Sequence, residues 1–472
     1  MSFALFLLYV FMSFFRPIEL YAPELGEYRP MMLIWGIAFV SALTRSVLRR
    51  ELAARRLHLG LLLGLTTMVA LSQVFIGWTG GAMASLSTFS PSLMLFVLVI
   101  LNVTTLGRLK ASVIVLALAM VGAGAVSIQA YRTGVNAPLL VVSQITPALE
   151  QAEADGQDLS EVVKSEIVPA KDTSGWYLWR IRGAGFLNDP NDFAQAMVML
   201  LPLLLAFWRR GAWLRNTLMV LAPGALLGYA MYLTQSRGAI VGVGAMVMAG
   251  FAHRYGRTRT LLIGGVLVAI AAAGSLATGG RGFSSKERSA EERIESWHVG
   301  LQLLREHPLS GAGFGNFTDH HYLTAHNSYV LAFAELGLVG YFFWLSLIVL
   351  NFKDLGRGVK DLPATSDEHR WALHMRTALV GFLACAWFLS RTYSPTLFFL
   401  LGLATSASWI ANHAIARASL PAAAPTRAVT FGPAPDPGAG LLTETPPWRR
   451  DTFVMVITTV LAVYGFIVVH RL

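Results

Sequence analysis

The sequence predicts an all-α polytopic membrane protein of about 12–13 transmembrane helices with two long outer loops, and three observations lead there. Hydrophobic residues make up 55% of the 472 and charged residues only 14%, against roughly 25% charged in an ordinary soluble domain. Apolar runs of about 20 residues, enough for a helix to cross roughly 30 Å of hydrocarbon, recur along the whole chain. Only helices and closed barrels satisfy their backbones in lipid, and these runs lack the alternation of barrel strands. A soluble globular enzyme is excluded.

In chain order the expected spans are Phe3–Phe15, Met31–Thr44, Leu59–Trp78, Pro91–Thr104, Ala111–Ala130, Phe193–Trp208, Asn216–Thr234, Gly238–Ala252, Leu261–Ala277, Ser328–Leu350, Thr377–Ser390, Thr396–His413 and Phe453–Val469. The first reads as a span and not as a signal peptide, because no basic region precedes it and no small-residue cleavage site follows. The last is an addition to a twelve-span core. Residues 1–414 thus form the bundle, 415–450 a Pro/Ala-rich cytoplasmic linker and 451–472 the extra helix. Cys385 is the single cysteine and lies in an apolar segment, so disulfides add nothing.

Charge alternates between the connections. Arg45, Arg49, Arg50, Arg55 and Arg56 follow the second span, Arg108 and Lys110 the fourth, Arg209, Arg210 and Arg215 the sixth, and Arg254, Arg257 and Arg259 the eighth. The positive-inside rule makes these loops cytoplasmic. The net charge of +10 is therefore read as loop asymmetry, and no nucleic-acid partner is expected. Two outward connections are long, 131–192 and 280–326, and such insertions carry function or are disordered. In the second, Ser289 and Glu292 form a capping box, and Ile294, Trp297, Leu301 and Leu304 make one apolar stripe. An amphipathic helix over Glu291–Glu306, lying on the outer membrane face and ended by Pro308 and Gly311-Ala-Gly-Phe-Gly315, is expected. The first loop, acidic between Glu150 and Glu166, reads as a solvated helix or linker.

Candidate chemistry gathers on the outward side. Arg237, in Gln235-Ser-Arg-Gly238 between two spans, fits either an interfacial arginine snorkelling to headgroups or an anion clamp beside a helix N-terminus. Arg293 on the amphipathic helix follows the same logic, with Arg288 and Arg305 nearby. His326 closes the second loop at the start of a span, where the helix dipole disfavours its imidazolium. A neutral imidazole there could act as a base or bind a hydroxyl, and a simple helix-capping histidine is the alternative. Gly337 and Gly340 on one helix face permit close packing against a neighbouring helix. Glu335 lies about 13 Å below His326 at 1.5 Å per residue, as a functional carboxylate or one paired to a buried arginine. Asp319, His320, His321 and His326 match no zinc or two-metal spacing, so no metal is assigned.

These residues resemble a family. His326-Asn327 followed by Gly337-Leu-Val-Gly340 looks like the histidine motif of bacterial O-antigen ligases. Gln235-Ser-Arg-Gly238, Glu292-Arg-Ile-Glu-Ser-Trp297, the glycines of Pro308–Phe317 and Gly185-Phe-Leu-Asn-Asp-Pro-Asn-Asp-Phe193 are similar to segments of the ligase and O-antigen polymerase superfamily. The resemblance runs from about Gly183 to Leu350, and the first five spans match only in hydropathy. It implies an inverting glycosyltransferase without metal or other cofactor, multi-pass in the bacterial inner membrane with a periplasmic site. The donor would be a glycan on undecaprenyl diphosphate, and the acceptor a hydroxyl of a glycan, lipid or protein. Arg237 and Arg293 would bind the diphosphate, and His326 would activate or orient the attacking hydroxyl. Asn327, Asn191, Arg391 and Glu335 are the further candidates for substrate contacts. The thirteenth span and the long first loop depart from the family. Ligation to lipid A core, repeat-unit polymerisation and transfer to protein share this scaffold, and a transporter is the reading from another class.

Overall fold

The structure is a computed structural model and describes residues 2–48, 55–145, 156, 168–171, 177–256, 258–260, 288–419 and 448–471. Its helices are α1 (Ser2–Phe15), α2 (Pro17–Tyr21), α3 (Pro30–Leu48), α4 (Arg56–Phe75), α5 (Thr79–Asn102), α6 (Leu106–Thr133) and α7 (Ala137–Leu140). Two strands follow, β1 (Val141–Ile145) and β2 (Tyr177–Ile181), and then α8 (Pro190–Leu205). Next are α9 (Trp213–Leu233), α10 (Arg237–Tyr255), α11 (Arg288–Glu306) and α12 (Phe317–His320), and finally α13 (Ser328–Asp361), α14 (Asp367–Ala386), α15 (Pro395–Ala418) and α16 (Trp448–Arg471).

The chain is a multi-pass α-helical membrane protein. Seven of the described helices, α4, α5, α6, α9, α13, α15 and α16 over Trp448–Val469, are long and apolar enough to span a bilayer. Ser2–Phe15, Pro30–Thr44 and Pro190–Leu205 are shorter apolar helices. Every expected span coincides with a helix except Leu261–Ala277, which lies outside the described residues, as does most of the 415–450 linker.

Two compact units emerge. The first comprises Met1–Ala42 with Lys110–Val243, the second Leu43–Leu109 with Gly244–Leu472. In the first unit α8 is buried along nearly its whole length and packs on α9. Asp189 caps it, its carboxylate accepting the backbone N–H of Asn191 at 2.7 Å and Asp192 at 3.4 Å, with Pro190 preset for the first turn. The first long loop holds more order than its composition suggests, because β1 and β2 pair antiparallel, with Val142 opposite Arg180. The pair is pinned to α6 by a small core of Ala130, Leu140, Val141 and Ala184, against which Trp179 packs. The acidic stretch between the strands lies almost wholly outside the described residues.

In the second unit α13 is central and packs against α4, α14, α15, α16 and α11. Tyr341, Trp344, Phe333 and, from the neighbours, Trp371, Phe382 and Phe398 are fully buried. The C-terminal helix is part of this packing: Tyr341 hydrogen-bonds Thr459 at 2.6 Å, and Lys353 pairs with Asp451.

The structure revises two local expectations. The apolar stripe of α11 packs on α13 in place of lying against lipid: a Cβ at Gly300 would stand 2.4 Å from Val330, and Trp297 and Leu301 are buried. Ser289, half of the expected capping box, has its side chain outside the described residues. Gly337 is no helix-packing glycine either. At φ 63, ψ −172 it breaks α13, and the backbone of the Pro308–Gly315 loop enters that break. Ala312 N–H donates to Ala334 O and Leu338 N–H to Pro308 O, both at 2.8 Å, while Gly313 N–H reaches Glu335 O at 3.1 Å. Gly311, at φ 71, lies so close that a Cβ would stand 2.3 Å from the carbonyl carbon of Glu335.

Candidate functional site

The loop end of α13 gathers four of the residues singled out by sequence. Asn327 is the helix N-cap, with its side-chain oxygen accepting Tyr329 N–H at 2.9 Å and Val330 N–H at 3.1 Å. The cap is therefore Asn327, fully buried, and the capping alternative for His326 falls away. His326 sits one residue ahead, half-buried, with φ 47. A non-glycine residue held in the left-handed region costs about 1–3 kcal/mol and persists only where its surroundings fix it. Those surroundings are visible on both sides. The indole N–H of Trp297 donates to Ala325 O at 3.0 Å. Ser328 Oγ donates to Leu389 O at 2.5 Å and accepts Arg391 N–H at 2.9 Å, while Thr392 Oγ1 donates to Ser328 O at 2.6 Å.

Through these bonds the backbone brings two arginine-bearing elements to His326. Arg391 follows directly in the loop stitched to Ser328. Arg293 lies four residues before Trp297 on α11, on the same helix face and about 6 Å along the axis. Trp297 in turn packs edge-on to Trp387 at 5.8 Å and beside Phe466 at 5.2 Å, which fixes the roll of α11.

Glu335 stands deeper, 3% exposed. No arginine pairs with it among the described residues. Its Oε1 accepts Phe317 N–H at 3.4 Å, and its carboxyl also meets the backbone of Gly315 and lies against the Tyr393 hydroxyl. Neither Glu335 Oε2 nor the Tyr393 hydroxyl has a hydrogen-bond partner among the described residues. Burial first, and the neighbouring Glu335 second, push the Tyr393 phenol well above its ordinary range, so it stays protonated. This carboxyl thus clamps the loop that leads towards His326. The same loop is held from α4, where Gln73 Nε2 donates to Phe314 O at 2.6 Å and Ser72 Oγ accepts Phe314 N–H at 3.0 Å. Asp319 and His320 are exposed, His321 Nδ1 accepts Leu323 N–H at 3.1 Å, and no group of three metal-ligating side chains occurs among the described residues.

The first unit holds the other two. Arg237 is exposed at the first residue of α10, after a turn in which Gln235 has φ 51 and Ser236 Oγ accepts Ala239 N–H at 3.3 Å. Asn191 is half-buried at the start of α8. The two motifs are joined by a residue the sequence reading missed, Arg180 of β2, which bonds both Asn191 and the carbonyl of Thr234. The available signal was the aromatic and branched run Tyr177-Leu-Trp-Arg-Ile181, a strand pattern without a nearby turn to mark its partner.

Fold and loop architecture define a class: a multi-pass helical membrane protein in which a long interhelical loop delivers a strained histidine to the start of a buried helix. Residues 222–345 match the family model described as O-Antigen ligase, a stretch that includes Arg237, Arg293, His326, Asn327 and Glu335. Over this segment the chain is similar to the O-antigen ligase family. No curated protein matches the chain significantly.

Proposed function

We propose that the chain is an inverting glycosyltransferase of the bacterial inner membrane, of the O-antigen ligase type. It would transfer a glycan from undecaprenyl diphosphate to an acceptor hydroxyl, on lipid A core or a related surface acceptor, at the periplasmic face. The observation that carries this reading is His326, held at φ 47 between the Trp297–Ala325 bond and the Asn327 cap inside the matched segment. Backbone strain of this kind, over-determined by its neighbours, is characteristic of sites where a side chain must be aimed.

In the proposed step the acceptor oxygen attacks the anomeric carbon from the face opposite the diphosphate. The new C–O bond forms as the C–O bond to the phosphate breaks, and the configuration inverts. His326 takes or orients the acceptor proton. One further negative charge grows on the departing diphosphate, already a dianion, and Arg237 and Arg293 stabilise it as planar, permanently charged donors. Arg391, Asn191 and Asn327 are secondary candidates for sugar or phosphate contacts. Glu335 acts through the loop that it clamps.

Purified protein reconstituted with an undecaprenyl-diphosphate glycan and candidate acceptors tests this. Transfer by the wild type that is lost in His326→Ala and Arg237→Ala supports it, and transfer unaffected by both removes the mechanism. In cells, deletion should leave donor glycan polymerised but unattached, whereas accumulation of single repeat units would make the chain a polymerase.

A further inference from the structure

Arg180 lies outside the matched segment, yet its guanidinium does two things at once. Nε donates to Thr234 O at 2.7 Å, and Nη2 donates to Asn191 Oδ1 at 2.9 Å. Thr234 is fully buried and follows the end of α9, and the next three residues are the turn that carries Arg237. One side chain thereby ties the Gln235–Arg237 turn to the start of α8, where Asp189 is the cap. Burial lowers the affinity of Arg180 for its proton, and the Asp189 charge opposes that effect, so the guanidinium remains cationic.

The backbone that carries Arg180 is itself fixed. Trp179 packs into the small core on α6. Arg182 N–H donates to Leu140 O at 2.9 Å, and Ser127 Oγ donates to Arg182 O at 2.8 Å. The Arg182 guanidinium adds bonds to the carbonyls of Leu139 and Pro138, both at 3.0 Å. A planar fork can hold two acceptors in fixed directions, which a lysine ammonium cannot reproduce.

We infer that Arg180 is a positioning residue for Arg237: the β1–β2 pair is a rigid bracket that presents the Arg237 turn, preorganised, to the diphosphate of a polyprenyl-linked donor. This rests on the diphosphate-binding role given to Arg237. A clamp that is already ordered binds more tightly because the ordering cost is not met at binding.

The test uses the full chain in nanodiscs and undecaprenyl diphosphate as the probe, with binding affinity and melting temperature measured for each variant. Arg180→Ala should weaken binding about tenfold, the equivalent of one charge-assisted hydrogen bond. Asn191→Ala, which leaves the Thr234 bond, should weaken it less, and Arg180→Lys should recover part of the loss. In an Arg237→Ala background, Arg180→Ala should have no further effect, because its influence passes through Arg237. Additive losses in the double variant would overturn the inference, as would full binding by Arg180→Ala. Should Arg180→Ala fail to fold, full binding by both Arg180→Lys and Asn191→Ala overturns it. Binding that depends on Arg237 but on none of these substitutions sinks the inference alone. Undiminished binding by Arg237→Ala sinks the role of Arg237 and the inference with it.

Discussion

Gly337→Ala should be among the most damaging single-methyl additions in the chain. A Cβ there would stand 2.4 Å from both the carbonyl carbon and oxygen of Leu309 and 2.6 Å from Ser310 N, all backbone atoms that no rotamer change can move. The residue also sits at φ 63, ψ −172, a region essentially reserved for glycine, where another residue costs about 1–3 kcal/mol. Overpacking adds about 1–3 kcal/mol, so the total is roughly 2–6 kcal/mol. The bonds from Ala312, Gly313 and Leu338 that lace the loop into the α13 break would lengthen together. Gly315→Ala is the matched control: its φ of 83 is unfavourable, but a Cβ there meets open space. The assay is the unfolding midpoint in detergent by denaturant and by heat, alongside glycan transfer. Equal losses for Gly337→Ala and Gly315→Ala would refute the loop-in-break packing.

Three further outcomes follow from the same geometry. Asn327→Ala should cost about 0.5–2 kcal/mol by removing the cap, whereas Asn327→Asp retains the capping oxygen and should keep most of that stability; loss of transfer by a stable Asn327→Asp would support the sugar or phosphate contact proposed for Asn327, and unchanged transfer would leave it a cap alone. Glu335→Leu leaves the buried Phe317 N–H without its acceptor, at about 1–3 kcal/mol, while Glu335→Gln retains one carbonyl oxygen and should be milder; the order of the two melting temperatures checks this. Exhaustive chelation with EDTA should leave transfer unchanged, and a loss restored by divalent metal would redirect attention to Asp319, His320 and His321.

The helical architecture was legible because long apolar runs report on lipid directly, and α11 was legible because its stripe has helical period. The pairing of β1 with β2 was not, since the strands are separated by about thirty residues and no turn signal links them. The glycines illustrate a subtler limit. Gly337, with Gly340, was readable as a position of close approach, but spacing alone suggested helix against helix, whereas the partner of Gly337 is the backbone of a loop within the same chain. His326 and Asn327 stood out as adjacent polar residues at a helix start. Which of them caps depends on φ and ψ, which sequence does not carry. Arg180 escaped because a lone arginine in a loop is usually solvated; only the tertiary bonds to Thr234 and Asn191 reveal its place.

The central claim is that His326 and the arginines of the matched segment carry glycan transfer from a polyprenyl diphosphate. It is tested most directly by single-turnover transfer from a defined undecaprenyl-diphosphate glycan, comparing wild type with His326→Ala at equal donor occupancy. The account predicts that His326→Ala folds and binds donor normally but slows the chemical step by about 10²–10⁴-fold, the range expected for loss of a general base. An unchanged single-turnover rate in the folded, donor-bound variant would contradict it.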